Sequence, residues 1–278
     1  MNEPRLAGAA WSFVGATLAE SANILRALGV DAMELIALPG GPQLDAHAIA
    51  ADPQGEARRV RALGIDIANL IYFFGTGFTD RPLNAADTAV RTQNQATLLR
   101  VLEFCHAARI PSLLLLPGVD QPGLPHAEAV RLAAATLTEW STLAAAASVQ
   151  LVFEPHIESI LESPFETLEF LRQNPTLKLV LDYSHFVAQG YQPAAVDSLA
   201  AYAGHVHLRQ AAPHQLQARW VDGVIDFTAV VALLKEVSYR GYLSLEYEHD
   251  PWMDSDRVDV ISETIKMRDL VQPLLEGR

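Results

Sequence analysis

The sequence predicts an α/β chain folded as one (β/α)8 barrel, and three observations predict it. Short apolar runs that read as strands alternate with helical stretches from end to end. Those runs are continuously apolar rather than alternating, as strands buried on both faces of a parallel sheet must be. The length, 278 residues, accommodates eight strand–helix units, since such a barrel takes about 250 residues. No low-complexity linker divides the chain, so residues 1–278 are expected to form a single barrel domain.

The elements follow in order. LAGAAWSF reads as the first strand. TLAESANILRALGV reads as a helix, with Thr17 as N-cap, Glu20 completing a capping box and Gly29 near the stop. DAMELIAL is the second strand, with Glu34 expected at its carboxyl end, and LPGGPQLD is a loop. A helix around GEARRVRALG leads into the third strand, DIANLIYFF. Gly and Pro punctuate the loop GTGFTDRPLN, and AADTAVRTQNQATLLRVLEFCHAARI reads as one long helix. PSLLLLPG is the fourth strand. The Ala-rich HAEAVRLAAATLTEWSTLAAAASV is a helix, and VQLVFEPH is the fifth strand. The helix SPFETLEFLRQN opens on Ser163 and Pro164, with Glu166 in capping-box position. LKLVLDYSHF is read as the sixth strand, AAVDSLAAYAG as a short helix and HVHLRQ as the seventh strand. IDFTAVVALLKEVSY is a helix, GYLSLEYE the eighth strand, and a helix in ISETIKMRDLVQPLLEG closes the chain.

Half of the residues are hydrophobic, and a domain of this size buries roughly three quarters of its unfolded surface. The formal net charge of −13 at pH 7 opposes nucleic-acid binding, which draws its affinity from Lys and Arg on phosphates. It also weakly disfavours a highly anionic substrate. The opening MNEPRLAGAAWSF has no basic region followed by a long apolar stretch, so no signal peptide is expected. No apolar run reaches the roughly 18 residues of a membrane span. Cys105, the single cysteine, cannot form an internal disulfide. It sits in a helical pattern and is expected to be a buried structural thiol. A reducing cytoplasm is the compartment these features suggest.

Four of the strand-like runs carry metal-capable residues: LVFE ends in Glu154, LKLVLD in Asp182 and YLSLE in Glu246, while HVHL carries His207. Successive members are spaced by about one strand–helix unit, which needs about 30 residues. They therefore reach the carboxyl mouth of a barrel, where catalytic residues sit. Each carboxylate alone could equally cap a helix or pair with an arginine. Together, three carboxylates and one imidazole describe a site for a divalent cation that prefers oxygen, because close carboxylates repel unless a cation neutralises them. His205 points to the same side of its strand as His207, since side chains alternate with period two. Lying deeper, it is expected to hydrogen-bond a neighbour. His185, three residues past Asp182, and His156, after Pro155, are candidate substrate contacts. Arg209 and Arg219, flanking the seventh strand, bind substrate hydroxyls, balance the carboxylates or form surface ion pairs. Trp11, with Tyr72, Phe73 and Phe74, is expected to pack in the core or wall the mouth, and Trp252 to belong to a lid.

At LVFEPH, LVLDYSH, HVHLRQ with the downstream GVIDF, and GYLSLEYE, the chain resembles the sugar phosphate isomerase/epimerase superfamily, the xylose isomerase-like TIM barrels. The resemblance covers nearly the whole chain. It implies one divalent metal ion on Glu154, Asp182, His207 and Glu246, with Mn2+ the first candidate and Mg2+, Co2+ or Zn2+ the others. It implies that His185 meets substrate oxygen and that Glu154 and Glu246 also move protons. The chain departs from the pattern after the seventh-strand histidine. Many relatives there have an acidic residue, as in H-L-K-D, where this chain has Arg209-Gln210; the arginine of ketose 3-epimerases is matched only loosely by Arg219. Both departures fall on ground that meets substrate.

The expected chemistry is isomerisation or epimerisation of a keto-sugar or related polyol, by proton transfer through a metal-stabilised enediolate. The alternative is a lyase or dehydratase acting on a keto-sugar or keto-inositol with the same metal site. A phosphodiesterase like the DNA-repair endonucleases that share this barrel is disfavoured by the acidic charge and by the absence of a basic tract. A barrel that binds sugar without catalysis is disfavoured by the complete ligand set. No glycine-loop phosphate cradle is present, which favours a non-phosphorylated polyol. A homodimer or homotetramer is suggested by analogy alone.

Overall fold

A computed structural model describes residues 3–277. Eight parallel strands close into a barrel in sequence order. They are β1 (Arg5–Ala9), β2 (Ala32–Ala37), β3 (Asp66–Tyr72), β4 (Ser112–Leu115), β5 (Gln150–Phe153), β6 (Lys178–Asp182), β7 (Ala203–Leu208) and β8 (Tyr242–Leu245). β8 returns to β1 through Leu6–Leu243 and Gly8–Leu245. The α/β barrel read from the sequence is the fold the chain adopts.

Outside the strands lie α1 (Leu18–Ala27), α2 (Ala46–Ala51), α3 (Pro53–Arg61), α4 (Thr88–Ala108), α5 (His126–Ala146), α6 (Pro164–Gln173), α7 (Tyr183–Ala188), α8 (Phe227–Glu236) and α9 (Val260–Leu275). The expected caps form. Thr17 Oγ1 accepts from the Glu20 amide, and Glu20 Oε2 accepts from the Thr17 amide at 2.8 Å. Ser163 caps α6, with Pro164 in its first turn. Cys105 is buried on α4, and burial pushes its thiol well above the usual range. α1 packs so closely on β1 that a Cβ at Gly8 would stand 2.3 Å from Leu25 Cδ2, and glycine is what permits that approach.

Several boundaries differ from the sequence reading, and the site depends on them. The first strand stops at Ala9, and Ala10–Ser12 turn into a 3-10 segment that sets Trp11 at the mouth. The sixth strand stops at Asp182. Its side chain accepts the Ser184 amide at 2.7 Å and caps α7, so Tyr183-Ser184-His185 is helical rather than extended. The segment read as one short helix before β7 is two 3-10 turns, Pro193–Ala195 and Asp197–Tyr202. α2 was not anticipated, and Glu34 lies inside β2 rather than at its end.

Two register shifts tune the barrel interior. Between β2 and β3, Met33 faces Ile67 but Glu34 faces Asn69. Between β6 and β7, Leu179 faces Ala203 but Val180 faces His205. Each inserts one extra residue on one strand, the local device by which sheets re-aim side chains. Ile71, Leu114, Val152 and Val180 form an apolar layer with Trp11, Ile36 and Phe73 packed against it. Among the described residues, no helix is long and apolar enough to cross a membrane.

Candidate metal centre

Glu154 follows β5, Asp182 ends β6, His207 lies on β7 and Glu246 follows β8. One candidate ligand atom from each lies within 4.8 Å of all the others, and all four residues are buried. His207 Nδ1 is 2.9 Å from Glu154 Oε1 and 3.0 Å from Glu246 Oε2. An imidazole nitrogen carries at most one proton, so it cannot serve both oxygens. Glu246 Oε2 is a buried oxygen without a hydrogen-bond partner. An unpartnered buried carboxylate oxygen is costly, and a divalent cation among these donors would relieve it. Three carboxylates and an imidazole suit the harder divalent metals, so the residues present fit the implied ion.

Without a cation, the cluster shares protons instead. Burial, reinforced by Glu246 and Asp182 against the pull of His207, pushes the Glu154 carboxyl up to about 7. Burial works against a charged His207, but Glu246, Glu34 and Glu154 outweigh it and hold the imidazolium well above its ordinary range. A metal must displace these protons, so binding releases them. The affinity for Mn2+ or Zn2+ is therefore expected to fall as pH drops through 7, by about tenfold per pH unit for each proton displaced. It should still be climbing above pH 7, because His207 gives up its proton later. Chelator-competition titrations at several pH values check this, and a flat affinity across the range would contradict it.

Arg209 is 2% exposed and sits beside the cluster. It donates to Ser184 Oγ at 2.8 Å, Asp182 Oδ2 at 3.0 Å and Glu248 Oε1 at 3.1 Å. Glu246 Oε2 lies 3.5 Å away. His185 is buried behind it: its Nε2 is 3.1 Å from the guanidinium, and the His156 ring covers it at 4.0 Å. Burial, then His156 and Arg209, hold His185 well below its ordinary range, and burial pushes His156 down to about 4. His205 Nε2 contacts Glu34 at 3.0 Å and Ser244 at 2.9 Å.

A cavity of about 530 Å3 opens above the cluster, within the range of small-molecule sites. Glu154, Glu246 and Arg209 line its floor, and Trp11, Phe78 and Trp252 contribute to an aromatic wall. Trp252 stacks on His156 with ring centroids 5.4 Å apart. Of the candidate substrate contacts, Arg209, His156 and Trp11 line this cavity and His185 does not. Arg219 is not brought to the site. It lies on the surface, paired with Asp222 at 2.6 Å. Gln210 clamps the loop after β7 through both backbone groups of Ile225.

Two residues of the site escaped the sequence reading. Glu248 lines the cavity and pairs with Arg209; burial, together with Glu246 and Asp250, pushes its carboxyl up to about 7. Glu34 contacts His207 Nε2 at 3.0 Å. Period two finds Glu248, two residues beyond Glu246 and on the same face. The sequence puts Glu34 at the carboxyl end of the second strand and gives it no role; the structure sets it inside β2, where it reaches His205 and His207 on β7.

Comparison with known proteins agrees with the fold. Residues 22–269 match the family model described as the xylose isomerase-like TIM barrel. An L-ribulose 3-epimerase structure is similar at TM-score 0.74 and 21% identity, covering 99% of this chain and 95% of that one. A D-psicose 3-epimerase from Clostridium cellulolyticum H10 is similar at TM-score 0.76 and 16% identity, covering 98% and 99%. The IolI protein with a bound zinc atom is similar at TM-score 0.71 and 17% identity, covering 98% and 97%. None of the curated proteins compared with the chain matches it. With the model spanning most of its length, the chain belongs to the xylose isomerase-like TIM-barrel family.

Proposed function

We propose that the chain is a divalent-metal-dependent isomerase or epimerase of a keto-sugar or related polyol. The observation that carries this reading is the cluster of Glu154, Asp182, His207 and Glu246, whose ligand atoms lie within 4.8 Å of one another beneath an aromatic-walled cavity. Family membership and fold similarity to an L-ribulose 3-epimerase and a D-psicose 3-epimerase support it, and the zinc of the IolI structure supports a metal. Mn2+ is the first candidate, with Mg2+, Co2+ and Zn2+ the others. When bound, the cation supplies a Lewis acid for a substrate carbonyl, which acidifies the neighbouring C–H.

The chain's own residues then hold the substrate and move its proton. Glu154 and Glu246 reach the cavity floor from β5 and β8 and are the acid/base pair. As carboxylates on the cavity floor, both can accept a proton from a substrate C–H within reach. One glutamate removes the C–H proton. A proton delivered by the other glutamate to the opposite face gives the epimer, and delivery to the adjacent carbon gives the isomer. Arg209 offers a fixed positive charge beside the substrate oxygens, and His156 and Trp11 contribute to the wall. The aromatic wall offers apolar surface to the C–H groups of a substrate.

The test is a panel of keto-sugars and polyols incubated with metal-loaded protein in deuterated water. Incorporation of one solvent deuteron with no change in composition is expected. Loss of water or fragmentation would move the assignment to a lyase or dehydratase. A protein that binds none of Mn2+, Co2+, Mg2+ or Zn2+ would end the metal reading.

A further inference from the structure

We propose that Glu34 is a positioning residue for the metal centre, holding His207 in the tautomer and ring rotation that turn Nδ1 toward Glu154 and Glu246. The inference rests on the metal-centre reading above and adds a residue outside its four ligands. Glu34 is fully buried at mid-barrel. Its Oε1 accepts from Asn69 Nδ2 at 2.7 Å and faces His207 Nε2 at 3.0 Å, while Oε2 faces His205 Nε2 at 3.0 Å.

Asn69 Nδ2 donates to Glu34 Oε1, and Ser112 Oγ lies 2.6 Å from Asn69 Oδ1 and 3.2 Å from Ala68 O. An ionised Glu34 accepts at both oxygens and donates at neither. His207 Nε2 therefore carries the proton in its bond to Glu34, and in the neutral ring the lone pair lies on Nδ1. Nδ1 is the atom that stands 2.9 Å and 3.0 Å from the two glutamate oxygens. A second hydrogen bond on the far nitrogen is how a protein fixes a ligating imidazole.

The barrel is also built to make this contact. The β2–β3 register shift falls between Met33 and Glu34 and sets Glu34 opposite Asn69. The β6–β7 shift sets Val180 opposite His205 and Asp182 opposite His207. In an unshifted ladder, residues on one of the two strands would face the other way, since one step in register exchanges the two faces. The first insertion serves the Glu34–Asn69 contact, and the second sets the facing of His205 and His207.

The experiment is a chelator-competition titration of Mn2+ and Zn2+ with the parent, Glu34→Gln and Glu34→Asp, beside the visible spectrum of Co2+-loaded protein. The glutamine variant is expected to bind about 10–100-fold more weakly, with an altered Co2+ spectrum reporting a changed ligand field. The aspartate variant keeps the charge, withdraws it by one methylene, and is expected to fall between. If the glutamine variant does not fold, the aspartate variant decides on the same readouts. Parent-like affinity and spectrum in a folded variant would overturn the positioning role and leave the metal centre standing. A parent that binds no metal would instead overturn the metal reading, and this inference with it.

Discussion

Glu154→Gln and Glu246→Gln are each expected to cut turnover of the metal-loaded protein by about 10²–10⁴-fold, the usual contribution of a positioned acid or base. Both side chains line the cavity floor, and each has an oxygen about 3 Å from His207 Nδ1. Glutamine keeps the shape and one oxygen, but it cannot accept a proton from carbon. Each substitution also removes a metal-facing charge, so the assay must be run at saturating Mn2+. A second readout then separates chemistry from binding. If the two glutamates serve opposite faces of one carbon, each variant retains one of them. It should still exchange solvent deuterium at the face its remaining glutamate meets, without producing the epimer. Loss of epimerisation with exchange preserved would be the signature of a two-base mechanism. A variant that epimerises at the parental rate would remove its residue from the acid/base pair.

The barrel and the clustering of Glu154, Asp182, His207 and Glu246 were legible in the sequence for one physical reason. Buried parallel strands are forced to be apolar throughout, so a charged residue at their end is conspicuous, as at Glu154, Asp182 and Glu246. His207 was legible for its imidazole in an otherwise apolar run. What stayed hidden depends on register and on where strands stop. Glu34 meets His205 and His207 from across the barrel, with Asn69 and the histidines aimed by one-residue insertions, and no local pattern reveals such a shift. His185 reads as a residue facing substrate if the chain turns into a loop after Asp182, but it turns into a helix there. The strand ends at Asp182 because that carboxylate caps α7, and the short helix carries His185 behind Arg209. Arg219 was separated from Arg209 by the fold alone: ten residues on, the chain has left the cavity for a surface pair with Asp222.

The other large effect is expected at Arg209. Among the described residues lining the cavity it is the only lysine or arginine, and it faces Asp182, Glu248 and Glu246 at 3.0, 3.1 and 3.5 Å. Arg209→Met keeps a comparable stem but strands those carboxylates in a buried site. Breaking a buried ion pair from one side costs about 3–5 kcal/mol, and the loss should appear in urea denaturation of the metal-free protein. A divalent cation brings positive charge to two of the same carboxylates, Asp182 and Glu246. Mn2+ is therefore expected to stabilise the methionine variant more than the parent, since a ligand stabilises the folded state according to its affinity for it. Arg209→Lys retains charge but not the planar fork that reaches Ser184, Asp182 and Glu248 together, and should be intermediate. Equal destabilisation with and without Mn2+ would assign the arginine to packing. A larger rescue of the methionine variant by the metal would mean that guanidinium and cation answer the same negative charge. In that case the departure from the family pattern after the seventh strand is electrostatic, a resident cation beside a centre that gathers more carboxylates than one divalent ion can neutralise.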